Sequence, residues 1–98
     1  MVAFTIKAID VMAIEKTIVE IIEDLIQDWG LVLDERISAH TRLVADLEFA
    51  SVDVIQMCVA IEQHYGHKMG FQDLLMKNGS YVSDLSITQI SDFLTGRI

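Results

Sequence analysis

The chain has 98 residues, 52% of them hydrophobic and 22% charged, and a formal net charge of −8. That length makes one domain near the lower end of what buries an adequate core alone, and the composition excludes intrinsic disorder. The acidic balance argues against nucleic acid, which needs lysine and arginine to displace counterions, and favours basic surfaces on protein partners.

The charge is uneven. Residues 1–50 carry ten acids against four bases, residues 51–65 carry two acids, and residues 66–98 hold three of each. No apolar run reaches the roughly 18 residues of a transmembrane helix, and Met1–Asp10 lacks the small-residue cleavage site of a signal peptide. The single cysteine, Cys58, cannot form an internal disulfide. It reads as a small buried hydrophobe in a reducing, cytoplasmic setting. With no proline, repeat or low-complexity stretch to mark a boundary, residues 1–98 read as one domain with its core at about 12–94.

In chain order, Val11–Trp29 comes first as a helix. Ile14, Ile18, Ile21, Ile22, Leu25 and Trp29 recur on one face, while Glu15, Glu20, Glu23, Asp24 and Asp28 lie mostly on the other. Gly30 is its stop signal. Residues 31–50 form a long connection with apolar anchors at Leu31, Leu33, Ile37, Leu43, Leu47 and Phe49. This pattern predicts a packed loop with a helical turn near Leu43–Leu47, and a connection of such length is often functional.

Ser51–Tyr65 reads as a second helix with two apolar stripes. Val54, Met57, Cys58, Ile61 and Tyr65 form one, and Val52, Ile55 and Val59 the other. A helix apolar on both sides is either buried all round or uses its second face for a partner or ligand. A domain this small favours the partner, against cover of both stripes by the first helix and the loop. Gly66 ends the helix, His67–Gly70 turns, Phe71–Met76 is a short helix, and Asn78-Gly79-Ser80 is a turn. Ser86, or Ser83, caps a last helix bearing Ile87, Ile90, Phe93 and Leu94, and Gly96 closes it. Three longer helices and one short one, without strand alternation, predict an all-α four-helix bundle.

Ser51 is the candidate functional residue. Taken alone, a serine at a helix start is a cap. The same hydroxyl is also well placed to carry a phosphate, because it faces the unpaired amides and positive dipole end of the helix. His64 and His67 with Glu62 do not make a metal site, since the helix breaks at Gly66 and only two imidazoles are at hand. No Gly-x-Ser-x-Gly elbow is present, and the chain is too small to enclose a substrate cleft, so it reads as no enzyme.

Thr41-Arg42-Leu43-Val44-Ala45-Asp46-Leu47-Glu48-Phe49-Ala50-Ser51-Val52-Asp53 resembles the acyl carrier protein pattern of Thr-x-Leu, Asp-Leu, then Ser-(Leu/Ile/Val)-Asp. The likeness runs over roughly residues 12–94. It takes in Val59-Ala60-Ile61-Glu62-Gln63-His64-Tyr65 at the end of the second helix and Val82-Ser83-Asp84-Leu85 before the last. The resemblance implies a four-helix bundle of the acyl-carrier type with a 4′-phosphopantetheine arm on Ser51, attached by a phosphopantetheinyl transferase. Acyl-loading and acyl-processing enzymes would then act on a thioester at the arm's thiol, and the carrier itself would be a monomer without catalysis. Asp46, Val52, Asp53, Ile55, Val59 and Glu62 would meet partners. Met57, Cys58 and Ile61 would shelter an acyl chain or simply form core.

Two departures qualify the resemblance. Ala50 stands where the family usually has aspartate, and Gln56, Gln63 and His64 stand where carriers of bacterial fatty-acid synthesis often have glutamate. Both point away from a housekeeping fatty-acid carrier and toward polyketide, specialised lipid or other secondary-metabolite biosynthesis. Two alternatives stay open. One is a carrier-fold interaction module that is never modified. The other is a bundle that dimerises through Val52, Ile55 and Val59 with Ser51 as a mere cap.

Overall fold

A computed structural model describes the backbone of residues 2–30 and 36–98, and side chains from Met12 onward within those ranges. The expected anchors Leu31 and Leu33 lie outside the described residues. The elements run α1 (Val2–Ile26), α2 (Ser51–Tyr65), α3 (Gln72–Leu75), β1 (Met76–Lys77), β2 (Ser80–Tyr81) and α4 (Ile87–Thr95). The chain is therefore a small helical bundle with one short hairpin.

Helix α1 begins nine residues before the expected Val11 and stops three short of Trp29. Neither proline nor glycine interrupts Val2–Trp29, so nothing halts the helix toward the N-terminus, and a nearly all-apolar start offers no periodicity to read. At the other end the Trp29 N–H donates to the Ile26 carbonyl at 3.0 Å, and the chain turns off the helical path there. Trp29 packs its ring against Phe49 with centroids 5.4 Å apart, while 41% of it stays exposed. It links α1 to the loop rather than extending the helical face.

Ile14, Ile18 and Ile22 of α1 enter one core with Met57, Cys58 and Ile61 of α2 and Ile87, Ile90 and Leu94 of α4. Each such side chain contributes about 1.5–3 kcal/mol on leaving water. The long connection supplies Leu43, Leu47 and Phe49 to the same core. Residues 43–47 form the expected turn, in which the Glu48 N–H donates to the Val44 carbonyl at 3.0 Å.

This connection is stitched to the segment before α4. The Leu43 N–H donates to the Leu85 carbonyl (2.9 Å), the Ile87 N–H to Thr41 (3.1 Å) and the Thr88 N–H to Ala39 (2.9 Å). Burying loop backbone requires such partners, and here a distant segment provides them. Helix α4 starts at a reciprocal cap. The Ser86 hydroxyl accepts the Gln89 N–H at 3.2 Å, and the Gln89 side-chain oxygen accepts the Ser86 N–H at 2.8 Å.

The absence of strands was the expectation that failed. Helix α3 is shorter than Phe71–Met76, and Met76 instead pairs with Tyr81, as Lys77 does with Ser80. Asn78 and Gly79 take φ of 54° and 81° between the strands. Positive φ at both central residues is the requirement of the hairpin turn that matches strand twist, and Asn-Gly is the pair that meets it most readily. Strands of two residues are too short for alternation to be visible in a sequence.

Candidate functional site

Ser51 is exposed and is the first residue of α2. It is not the cap: Ala50 holds that position, in extended conformation with φ −88° and ψ 172°. Alanine has no side-chain acceptor for the free amides of the first turn. The other half of a capping box is present, because the Asp53 carboxylate accepts the Ala50 N–H at 2.7 Å. The Ala50 carbonyl takes the Asp53 and Val54 amides at 3.0 and 3.2 Å. Among the described residues, the Ser51 and Val52 amides donate to nothing within the chain. Two open N–H groups and the helix dipole therefore lie beside an exposed hydroxyl, an arrangement suited to an anion carried on that oxygen.

The approach to Ser51 is bent by Glu48, whose φ of +60° lies in the left-handed region that favours glycine. The bend turns the chain so that Phe49 enters the core while Ala50 and Ser51 stay outside. Strain of this kind persists only where the surroundings over-determine it. Here they do: the Glu48 and Phe49 amides are both tied back to the 43–44 turn, and Phe49 is held by Trp29.

Asp84 fixes that turn from the far side of the sequence. Its carboxylate accepts the N–H groups of Val44 (2.8 Å), Ala45 (3.0 Å) and Leu85 (2.8 Å). Partial burial by itself would raise the carboxyl's pKa. The three amides, with Arg42 nearby, outweigh that and hold it below its ordinary value. Asp46 has a smaller local task, accepting the Arg42 N–H at 2.8 Å.

A cleft of about 230 Å³ opens beside Ser51. It is lined by Val54 and Ile55 of α2, by Leu75, Tyr81 and Val82, and by Leu43, Val44 and Leu85, with Ser83 and Asp84 among its polar residues. Ser51 itself belongs to the lining, so its hydroxyl and an apolar groove share one site. Asp84 is the one carboxylate on that lining, and its oxygens are already engaged by three amides. Among the described lining residues, no other carboxylate and no histidine stands beside Ser51.

Of the other expected residues, Val52, Ile55 and Val59 stand exposed at 58%, 56% and 46%. Among the described residues, neither α1 nor the loop buries them, which goes against the reading in which both stripes of α2 are covered. Met57, Cys58 and Ile61 are buried in the core and do not line the cleft. Burial, with Glu62 nearby, pushes the Cys58 thiol up to about 12. Glu62 accepts the Met69 N–H at 2.9 Å, so both acids of α2 hold backbone within the chain. His64 packs edge-on against Tyr65, and the His67 ring contacts the Lys68 carbonyl. Among the described residues, no three His, Cys, Asp or Glu side chains group to hold a metal, and no helix is long and apolar enough to cross a membrane.

Sequence reasoning missed the cleft, the Asp84 clasp and the Glu48 bend. Asp-Leu before a helix is visible in the sequence, but a carboxylate bonded to amides 39 and 40 positions away is not. Compared with known proteins, the chain matches no family model, no curated protein and no solved structure.

Proposed function

We propose that this protein is a stand-alone acyl carrier protein, in which Ser51 bears a 4′-phosphopantetheine arm holding acyl intermediates as thioesters. The observation that carries the reading is one juxtaposition: an exposed serine hydroxyl, two unpaired helix amides and an apolar cleft lined by that serine. The amides suit the phosphodiester. The cleft suits the apolar parts of an arm or its cargo, a place that Met57, Cys58 and Ile61 do not offer. The arm supplies the thiol on which an acyl group is held. This chain supplies the hydroxyl, its orientation and the surface around it, while the base that activates Ser51 belongs to the transferase.

The surface supports a specialised carrier. Both acids of α2 are engaged by backbone amides, and the outward stripe of the helix is aliphatic. Partners of such a helix dock through apolar contact more than through charge, as suits enzymes of polyketide, specialised lipid or other secondary-metabolite biosynthesis. Ala50 favours a second reading, a carrier-like interaction module never modified, because it leaves the position before Ser51 without a carboxylate.

Incubation with a broad-specificity phosphopantetheinyl transferase, magnesium and coenzyme A, followed by intact mass, separates these readings. A gain of one phosphopantetheinyl group, lost in Ser51→Ala, is expected. No gain with several transferases overturns the carrier reading, and a concentration-dependent dimer would then favour self-association through Val52, Ile55 and Val59. Faster modification of Ala50→Asp would identify Ala50 as a recognition defect.

A further inference from the structure

Tyr81 is the most exposed large hydrophobic residue described, at 77%. Among the described residues its ring stacks on no other aromatic and its hydroxyl makes no hydrogen bond. Its backbone, by contrast, is firmly placed. It pairs with Met76 across the hairpin, and the next amide, Val82 N–H, donates to the Leu75 carbonyl at 2.8 Å. The hairpin thus holds a largely exposed tyrosine on the lining of the Ser51 cleft, which it shares with Val54 and Ile55 of α2. A tyrosine held in water gives up a large burial gain and leaves its hydroxyl for a partner that arrives later.

We propose that Tyr81 is a positioning residue for the group carried on Ser51, closing its ring over the cleft so that the arm and its thioester lie against Ile55 and Leu75. The inference rests on the carrier reading and adds a residue to it. The arm's chemistry fits this rim: after its phosphate comes a carbon bearing two methyl groups, then two amides. The ring covers the apolar segment, and the hydroxyl donates to an amide carbonyl. Cover of this kind keeps water from the thioester between visits to partner enzymes.

The test uses the full chain loaded with an octanoyl-phosphopantetheine group, with intact mass confirming the load before each measurement. The hydrolysis rate of the thioester is then compared among wild type, Tyr81→Ala and Tyr81→Phe. The alanine variant is expected to hydrolyse several-fold faster with an unchanged thermal midpoint, and the phenylalanine variant, which keeps the ring but loses the donor, to fall between it and wild type. In wild type, the Tyr81 ring resonances are expected to shift on loading. Equal hydrolysis rates in all three proteins, or ring resonances indifferent to loading, would overturn the role of Tyr81 while leaving the carrier reading intact. Failure of Ser51 to take the group at all would overturn both, and the mass spectrum tells the two failures apart.

Discussion

Met57, Cys58 and Ile61 lie on one side of α2 within the common core, whereas Val52, Ile55 and Val59, equally apolar and at similar spacing, face solvent on the other. Among the described residues, α1, α4 and the long connection cover the first side, and the second stays exposed. Hydrophobicity therefore does not tell a core stripe from a surface stripe on this helix; neighbours do. An uncovered aliphatic stripe forgoes the gain of burial, and it adjoins the cleft through Ile55. The inner stripe holds the molecule together, and the outer one is free to meet something else.

The sharpest way to break that contrast is to truncate both sides. Ile61→Ala and Met57→Ala should each lower unfolding free energy by about 2–5 kcal/mol in chemical denaturation, since both side chains are fully enclosed. Val59→Ala should stay within about 0.5 kcal/mol of wild type. Equal losses on the two sides would erase the distinction.

A smaller effect is expected at the clasp that frames the site. Asp84→Ala leaves three backbone amides without their acceptor and should cost about 1–3 kcal/mol. The carboxyl's pKa is lowered from 3.8 in the folded chain, so its stabilisation is complete above that unfolded value. It is lost as pH falls through the lower folded value. Asp84→Asn should accordingly flatten the acid limb of the stability–pH curve, measured by thermal melts.

Cys58 probes the inner stripe without mutation. With its thiol raised from 9.0 to about 12, it should resist alkylation in mildly alkaline buffer and react rapidly once the chain is denatured. The stability gained by keeping the thiol neutral is full below 9.0 and fades as pH climbs toward about 12. Rapid labelling of the native protein would show that α2 is not packed as described.

The smallest change in stability belongs to the outer stripe. Val52→Ser, Ile55→Ser and Val59→Ser together should leave the unfolding curve nearly unmoved, and yet slow every reaction that a partner performs at Ser51.

The span of α2 was legible because its boundaries are marked locally, by a small polar start at Ser51 and by Gly66. That glycine takes φ +80° and returns its N–H to the Glu62 carbonyl. The core face of α4 was legible for the same reason: Ile87, Ile90 and Leu94 keep helical spacing behind a serine cap. What could not be read depends on contacts between distant segments. The Asp84 clasp joins residues about forty apart, and the cleft is lined by α2 together with residues 43–44 and 75–85, which are distant in sequence. The status of Ser51 shows the limit most plainly. It reads equally as a cap from its neighbours alone, and only the extended backbone at Ala50 moves the cap back by one residue.

The most direct test of the account measures transfer of phosphopantetheine from coenzyme A onto wild type and onto the triple outer-stripe variant, by intact mass over time. Peptide fragmentation then locates the added group. One group on Ser51 of the wild type, a several-fold slower gain in the variant, and matching thermal midpoints are expected. A wild-type protein that gains no mass, or gains it anywhere but Ser51, would contradict it.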